Sequence, residues 1–351
     1  MSFTEDHLQR ALAAVTDPDS GKPLLELGWL SSSGFSPDEV ALRLELPTPR
    51  PPYREALEAA LRQAVSGLPG APALRLTVAA ELPESTHKDA LPGVRAIVAV
   101  GSGKGGVGKS TVAANLAASL ALEGAAVGLL DADIYGPSQA KMFSVGGKRL
   151  MADDEKRILP LQNHGVRIIS IANLVEDAQA LTWRGPILHG TLTQMLKQTH
   201  WGELDYLIVD LPPGTGDVQL SLAQLVPLTG ALLVSTPQEV ALLDVRRAHT
   251  MFRKTHVPVL GLIENMVYYA LPDGSRDAIF GAGGAEAFAA QERLPLLAQL
   301  PITRQLRESG DAGVPLVVAA PESESALALR RAARALAHEV RSQSRMTLPV
   351  L

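Results

Sequence analysis

Residues Gly103-Lys104-Gly105-Gly106-Val107-Gly108-Lys109-Ser110-Thr111 follow an apolar run, Ala96-Ile97-Val98-Ala99-Val100. They lead straight into Val112-Ala113-Ala114-Asn115-Leu116-Ala117-Ala118-Ser119-Leu120. A strand, a glycine-rich turn and a helix in that order leave few folds open. The spacing G-x-x-x-x-G-K-[ST] in this setting predicts a phosphate-binding loop. Glycines let the backbone wrap a polyphosphate at distances a Cβ would obstruct. The loop N–H groups then point inward, and the positive end of the helix dipole adds to the anion site. Lys109 would reach the β- and γ-phosphates of a nucleotide, and the Ser110 hydroxyl would ligate Mg²⁺.

The chain beyond this loop repeats the same alternation. Apolar runs at Val94–Val100, Ala126–Leu130, Val166–Ile171, Tyr206–Val209, Ala231–Ser235 and Val259–Ile263, with a shorter one near Leu296–Leu300, are separated mostly by helical patterns. Continuous apolar strands spaced by helices predict an α/β fold: a mostly parallel sheet with helices on both faces. Glu322 to Arg341 reads as one long closing helix, with Ala and Leu on one side and Arg on the other. Residues 1–80 differ. Helical spacing at His7–Val15 and Tyr53–Val65, strand alternation at Val40–Leu46 and Leu74–Val78, and a turn at Asp17-Pro18-Asp19-Ser20-Gly21 predict a small α+β domain. The polar, Pro-containing residues 81–93 read as a linker, so the nucleotide-binding domain spans 94–351.

Phosphoryl chemistry also needs carboxylates. Leu207-Ile208-Val209-Asp210 is an apolar strand ending in an acid, the form of a metal-associated Walker B element. The stiff loop Leu211-Pro212-Pro213-Gly214-Thr215-Gly216-Asp217 follows, and it can change arrangement with the γ-phosphate, carrying Asp217 with it. Asp131 and Asp133 end another strand, where ligands collect in open α/β sheets. Asp133 could orient the attacking water, and Asp131 could hold the metal's water shell. Asn265, at a further strand end, can donate and accept at once, as reading an adenine edge requires.

The formal charge of −5 and the lack of a basic stripe argue against nucleic-acid binding. No stretch reads as a signal peptide or membrane span, so the expected location is cytoplasmic, with no membrane partner. The eight histidines show no metal-ligand spacing, and there is no cysteine.

Lys104 with Lys109 gives the deviant pattern K-G-G-x-G-K-[ST], which resembles the MinD, ParA and nitrogenase iron protein group of ATPases. Further segments narrow the likeness: Leu130-Asp131-Ala132-Asp133-Ile134-Tyr135-Gly136-Pro137-Ser138, Trp183-Arg184-Gly185-Pro186, Asp210-Leu211-Pro212-Pro213-Gly214-Thr215-Gly216-Asp217, Thr236-Pro237-Gln238, Glu264-Asn265-Met266, Phe280-Gly281-Ala282-Gly283-Gly284 and Gly310-Asp311-Ala312-Gly313-Val314-Pro315. Together they resemble the Mrp/ApbC family of iron–sulfur cluster carrier ATPases across residues 94 to about 340. Residues 8–80 resemble the iron–sulfur-assembly domain often fused ahead of it.

That resemblance implies a slow, Mg²⁺-dependent ATPase acting as a homodimer in iron–sulfur cluster assembly or transfer to apoprotein clients. It implies that Lys104 reaches the partner's phosphates, that Asp133 and Asp210 serve water and metal, and that Asn265 contacts the base. An iron–sulfur cluster is implied by the family alone. The family's C-P-x-C pair, expected shortly after Glu264-Asn265-Met266, is missing: Leu271 stands at the first cysteine's place, and Tyr268 and Asp273 are hard oxygen donors. The alternative expectation is a MinD/ParA-like dimerisation switch that binds a protein or membrane partner. A third is a noncatalytic, ATP-locked scaffold.

Overall fold

Val40, Leu42 and Leu44 alternate with more polar neighbours, and that period of two puts all three at 0–1% exposure on one face of strand β2 (Glu39–Glu45). The structure, a computed structural model, describes residues 4–36, 39–68, 70, 73–85, 87, 90–174, 185–271 and 273–346. In the first of two units, Met1–Glu81, β2 lies between β1 (Leu30–Phe35), antiparallel, and β3 (Ala73–Ala79), parallel. Helices Glu5–Ala13 and Arg54–Ser66 lay Leu8, Leu12, Leu57, Leu61 and Val65 on the buried face. The expected turn is closed by Asp17, whose carboxylate accepts from the Ser20 amide at 2.9 Å and from its hydroxyl at 2.6 Å. β1 was not legible in the sequence, because Leu30-Ser31-Ser32-Ser33-Gly34-Phe35 carries no apolar period.

The second unit, Leu82–Leu351, takes in part of the stretch read as a linker, since Leu82 and Leu91 are buried in its cores. Its strands are β4 (Val94–Ser102), β5 (Val127–Asp131), β6 (Met151–Ala152), β7 (Ile158–Leu159), β8 (Leu161–Asn163), β9 (Val166–Ser170), β10 (Leu204–Asp210), β11 (Gly230–Ser235), β12 (Val259–Ala270), β13 (Arg276–Asp277) and β14 (Leu296–Ile302). The sheet order is β13-β12-β11-β4-β10-β5-β9-β8, with β14 also on β12, and only the edge strands β8 and β13 run antiparallel. The central strands are buried along their length save the half-buried Arg95 and Asp205 near the starts of β4 and β10, as a sheet covered on both faces requires. β12 runs past the expected Ile263 to Ala270, where it turns back to pair with β13.

Two cores flank the sheet. Helices Lys109–Leu122 and Glu324–Met346 dominate one, and helices Gly185–Lys197, Asp217–Leu225 and Glu239–Lys254 the other. The closing helix packs Leu329, Ala333, Leu336 and Val340 inward, but its arginines do not all face outward. Arg334 and Arg341 are 6% and 5% exposed. For Arg334 the reason is Glu123, 2% exposed, whose carboxylate accepts from Arg334 at 2.6 Å and Arg330 at 3.5 Å. A carboxylate buried at that helix–helix contact needs cations from the facing helix. Among the described residues, no helix is long and apolar enough to cross a membrane.

Candidate functional site

The register of three strands builds the site. β10 lies between β4 and β5, with Asp210 paired to Val100 on one side and to Asp131 on the other. The loops leaving these strands therefore emerge at one level, on the sheet edge where open α/β folds collect ligands. The two acids also become neighbours across the ladder. Leu211 N donates to Val100 O at 3.1 Å and Gly214 N to Ser102 O at 2.9 Å, which ties the Pro212–Gly214 loop to the glycine-rich one.

Within the glycine-rich loop, two positions exclude any other residue. A Cβ on Gly103 would run into the Asp244 backbone, and one on Gly108, which opens the helix at φ +82°, would run into the Asn265 amide. Gly105 and Gly106 are exposed, Val107 is buried as an anchor, and Thr111 is half-buried in the first helical turn. Lys109 is 5% exposed. Its Nζ donates to Asp210 Oδ1 at 2.5 Å and to Ser110 Oγ at 3.2 Å, and lies 3.6 Å from Asp133 Oδ2. A buried ammonium persists only with such partners. Lys109, Ser110, Asp133 and Asp210 thus form one contact set, and a cavity of about 480 Å³ lined by Asp133, Tyr135, Leu188, Pro213 and Gln219 opens beside it.

Asp131 sits behind this set at 0% exposure. Its Oδ2 accepts from Ser170 Oγ at 2.9 Å and from the amides of Ser138 and Gln139, both at 3.0 Å, which closes the 131–139 loop. Its Oδ1 is buried and unpartnered. Burial, then the neighbouring Asp210 charge, pushes the Asp131 carboxyl up to about 7 from 3.8. Burial likewise raises Asp133, against the pull of Lys109. Because the folded chain holds the Asp131 proton where the unfolded chain has lost it, stability falls as pH rises through that window. In nucleotide-free protein with EDTA, Asp131→Asn should flatten the urea-unfolding difference between pH 5 and pH 8. It should raise stability at pH 8 by roughly 2–4 kcal/mol. An unchanged slope would count against this assignment.

Lys104 and Asn265 make no contact with that set. Lys104 Nζ donates to Gln238 Oε1 at 3.4 Å. Asn265 is buried against the loop, its Nδ2 donating to Val107 O at 2.8 Å, which leaves the buried Oδ1 without a partner. One donor of the amide expected to read a base edge is therefore spent on the loop itself. Asp217 opens the helix Asp217–Leu225, and its side chain lies outside the described residues, as do Trp183 and Arg184. At the hairpin after β12, Leu271 is 39% exposed. Tyr268 OH donates to Glu324 at 3.0 Å, and Asp273 Oδ1 accepts from the Ser275 hydroxyl at 2.6 Å. These oxygen donors are engaged locally, and among the described residues no group of three His, Cys, Asp or Glu is arranged to hold a metal.

Two residues were missed. Gln219 Nε2 donates to Pro212 O at 2.8 Å and Gly214 O at 3.1 Å, holding the loop after Asp210 from within. Gln139, 0% exposed, bridges Ser110 and Asp210. Neither lies in a motif with a readable spacing.

The residues present fit a hydrated Mg²⁺. Asp210 and Ser110 are hard oxygen donors in contact with the same Lys109, and the buried, unpartnered oxygens of Asp131 and Gln139 are acceptors suited to metal-bound water. Mg²⁺ ordinarily takes one or two carboxylates plus phosphates and waters, so no closed protein cage is needed.

Residues 93–337 match the family described as NUBPL iron-transfer P-loop NTPase, and residues 5–73 match an iron–sulfur cluster assembly protein family. A Deinococcus radiodurans protein named iron–sulfur cluster carrier protein is 50% identical, with 98% of each chain covered. A nucleotide-binding protein from Archaeoglobus fulgidus, solved with ADP, superposes with a TM-score of 0.58 at 39% identity over 65% of this chain and 90% of that one. The septum site-determining protein MinD of Pyrococcus horikoshii, solved with Mg-ADP, gives 0.53 at 26% identity over 68% and 94%.

Proposed function

Because the chain belongs to the NUBPL/ParA family of iron-transfer P-loop NTPases, we propose that it binds Mg²⁺·ATP in the Gly103–Thr111 loop and hydrolyses it slowly. In this reading it works in the cytoplasm as a homodimer, in iron–sulfur cluster assembly and transfer to apoprotein clients. The observation that carries the reading is the contact set of Lys109, Ser110, Asp133 and Asp210 on one sheet edge. The MinD-like positioning switch is not favoured. Relatives that match nearly the whole chain are named for cluster carriage, whereas the MinD likeness covers 68%.

In this reading Lys109 exchanges its carboxylate partners for the β- and γ-phosphates, and Asp210 with Ser110 is freed to hold Mg²⁺. The metal, when bound, neutralises phosphate charge. Asp133 orients the attacking water, Asp131 steadies the metal's water shell, and Asn265 offers its remaining acceptor to the base. Lys104 acts on the second protomer's nucleotide, and Asp217 moves with the loop after Asp210.

The cluster is cargo here, and the chain supplies no thiolate to hold it. Since thiolates bind iron–sulfur clusters, they must come from the assembly factor that delivers the cluster and the client that receives it. The test is anaerobic transfer from a cluster-loaded, thiolate-bearing scaffold to an apo-ferredoxin, with and without this protein and Mg²⁺·ATP. Acceleration that needs both is expected. The protein alone, reconstituted with ferrous iron and sulfide, should show no cluster absorption. Transfer indifferent to the protein would overturn the reading, and a stoichiometric cluster on the protein alone would overturn the division of ligands.

A further inference from the structure

The side chain that holds the candidate metal-binding carboxylate in place belongs to no recognised motif. Gln139 is 0% exposed at the start of a one-turn helix, Gln139–Met142. Its Nε2 donates to Asp210 Oδ2 at 2.8 Å and to the Ser110 carbonyl at 3.0 Å, and its backbone N donates to Asp131 Oδ2 at 3.0 Å. Three chain segments that meet at the site are thereby tied to one residue. The amide orientation is forced, because both groups facing Nε2 are acceptors. Oε1 is therefore the end left over, buried and without a partner. Asp210 is held at both oxygens, by Lys109 on Oδ1 and Gln139 on Oδ2. Only the first of these partners has a reason to leave when phosphates arrive.

We propose that Gln139 is the positioning residue of the Mg²⁺ site: it keeps Asp210 oriented through Oδ2 after Lys109 departs, and its Oε1 accepts from a metal-bound water. This rests on the nucleotide reading above. A neutral amide suits the task, since a carboxylate at 139 would add a third like charge beside Asp131 and Asp210. A hydrogen-bonding neighbour of a metal ligand is worth about 10–100-fold in metal affinity.

The test uses full-length protein with ADP and with Mn²⁺ as the probe ion, free Mn²⁺ being read by electron paramagnetic resonance. Gln139→Met keeps the volume and removes both hydrogen-bonding ends. It should weaken Mn²⁺ binding to the ADP complex by about 10–100-fold, while ADP affinity in EDTA, read by a fluorescent analogue, stays within about threefold. Gln139→Asn keeps the amide but is one methylene too short to span both acceptors, and it should weaken Mn²⁺ in the same direction. Unchanged Mn²⁺ affinity in either folded variant overturns the proposal. So does an equal loss of Mn²⁺ and metal-free ADP binding, which would mark a purely structural role. Failure of the wild type to bind ADP would instead strike the nucleotide reading.

Discussion

Lys109→Ala is expected to lose nucleotide binding by at least about 100-fold, or ~2.7 kcal/mol, since each hydrogen bond from an ammonium to a charged phosphate contributes about 1.5–3 kcal/mol. The same substitution acts on the folded chain before any ligand arrives. Lys109 is the cation in contact with Asp210, itself 0% exposed, and with Asp133. Removing one partner of a buried pair typically costs about 3–5 kcal/mol, because the remaining charge stays desolvated. The variant should therefore be less stable at neutral pH, and part of the loss should return on acidification as Asp133, already raised by burial and no longer held down by Lys109, takes up a proton. Equilibrium dialysis with ATP, together with urea unfolding at pH 5 and pH 8, checks both effects. Lysine loss that spares ATP affinity would remove the loop from the nucleotide site. A stability loss equal at both pH values would mean that Asp133 does not depend on Lys109.

The parts of this molecule that were legible in its sequence are those set by backbone chemistry and period. The glycine-rich loop was readable because only glycine fits at Gly103 and Gly108, and the buried strands because a sheet covered on both faces is apolar throughout. Asp131 and Asp210 were readable as strand-end acids. What could not be read was their adjacency, since strand order places β10 between β4 and β5 although it comes some 70 residues after β5 in the chain. The raised Asp131 proton affinity comes first from burial and then from that adjacency, both products of tertiary placement, so it was equally hidden. Gln139 and Gln219 escaped for a related reason: an amide can bridge any two acceptors, so its role depends on tertiary placement and leaves no spacing behind. The closing helix shows the opposite failure. Its arginines read as the side opposite Ala and Leu, yet Glu123, at the end of another helix, holds Arg334 inside.

Lys104→Ala is expected to leave ATP affinity within about threefold and to lower kcat by roughly 10³-fold, the lower end of what a charge supplied in trans contributes to phosphoryl transfer. The structure offers a physical reason for the split. Lys109 Nζ already contacts the acids of its own site, whereas Lys104 Nζ, one turn of loop away, rests on Gln238 at 3.4 Å. A weak partner of that kind is readily exchanged for another protomer's phosphate. Trans action has a signature that single variants cannot give. In a mixture, a Lys109→Ala protomer binds no nucleotide but still carries Lys104, and a Lys104→Ala protomer binds nucleotide but lacks the lysine. Their heterodimer therefore contains one complete composite site. With random pairing, half the dimers are mixed and each has one of two sites complete, so an equal mixture should recover up to about a quarter of wild-type turnover from two nearly inactive parents. If Lys104 served its own protomer's nucleotide, neither site in the mixed dimer would be complete, and the mixture would stay as inactive as its components.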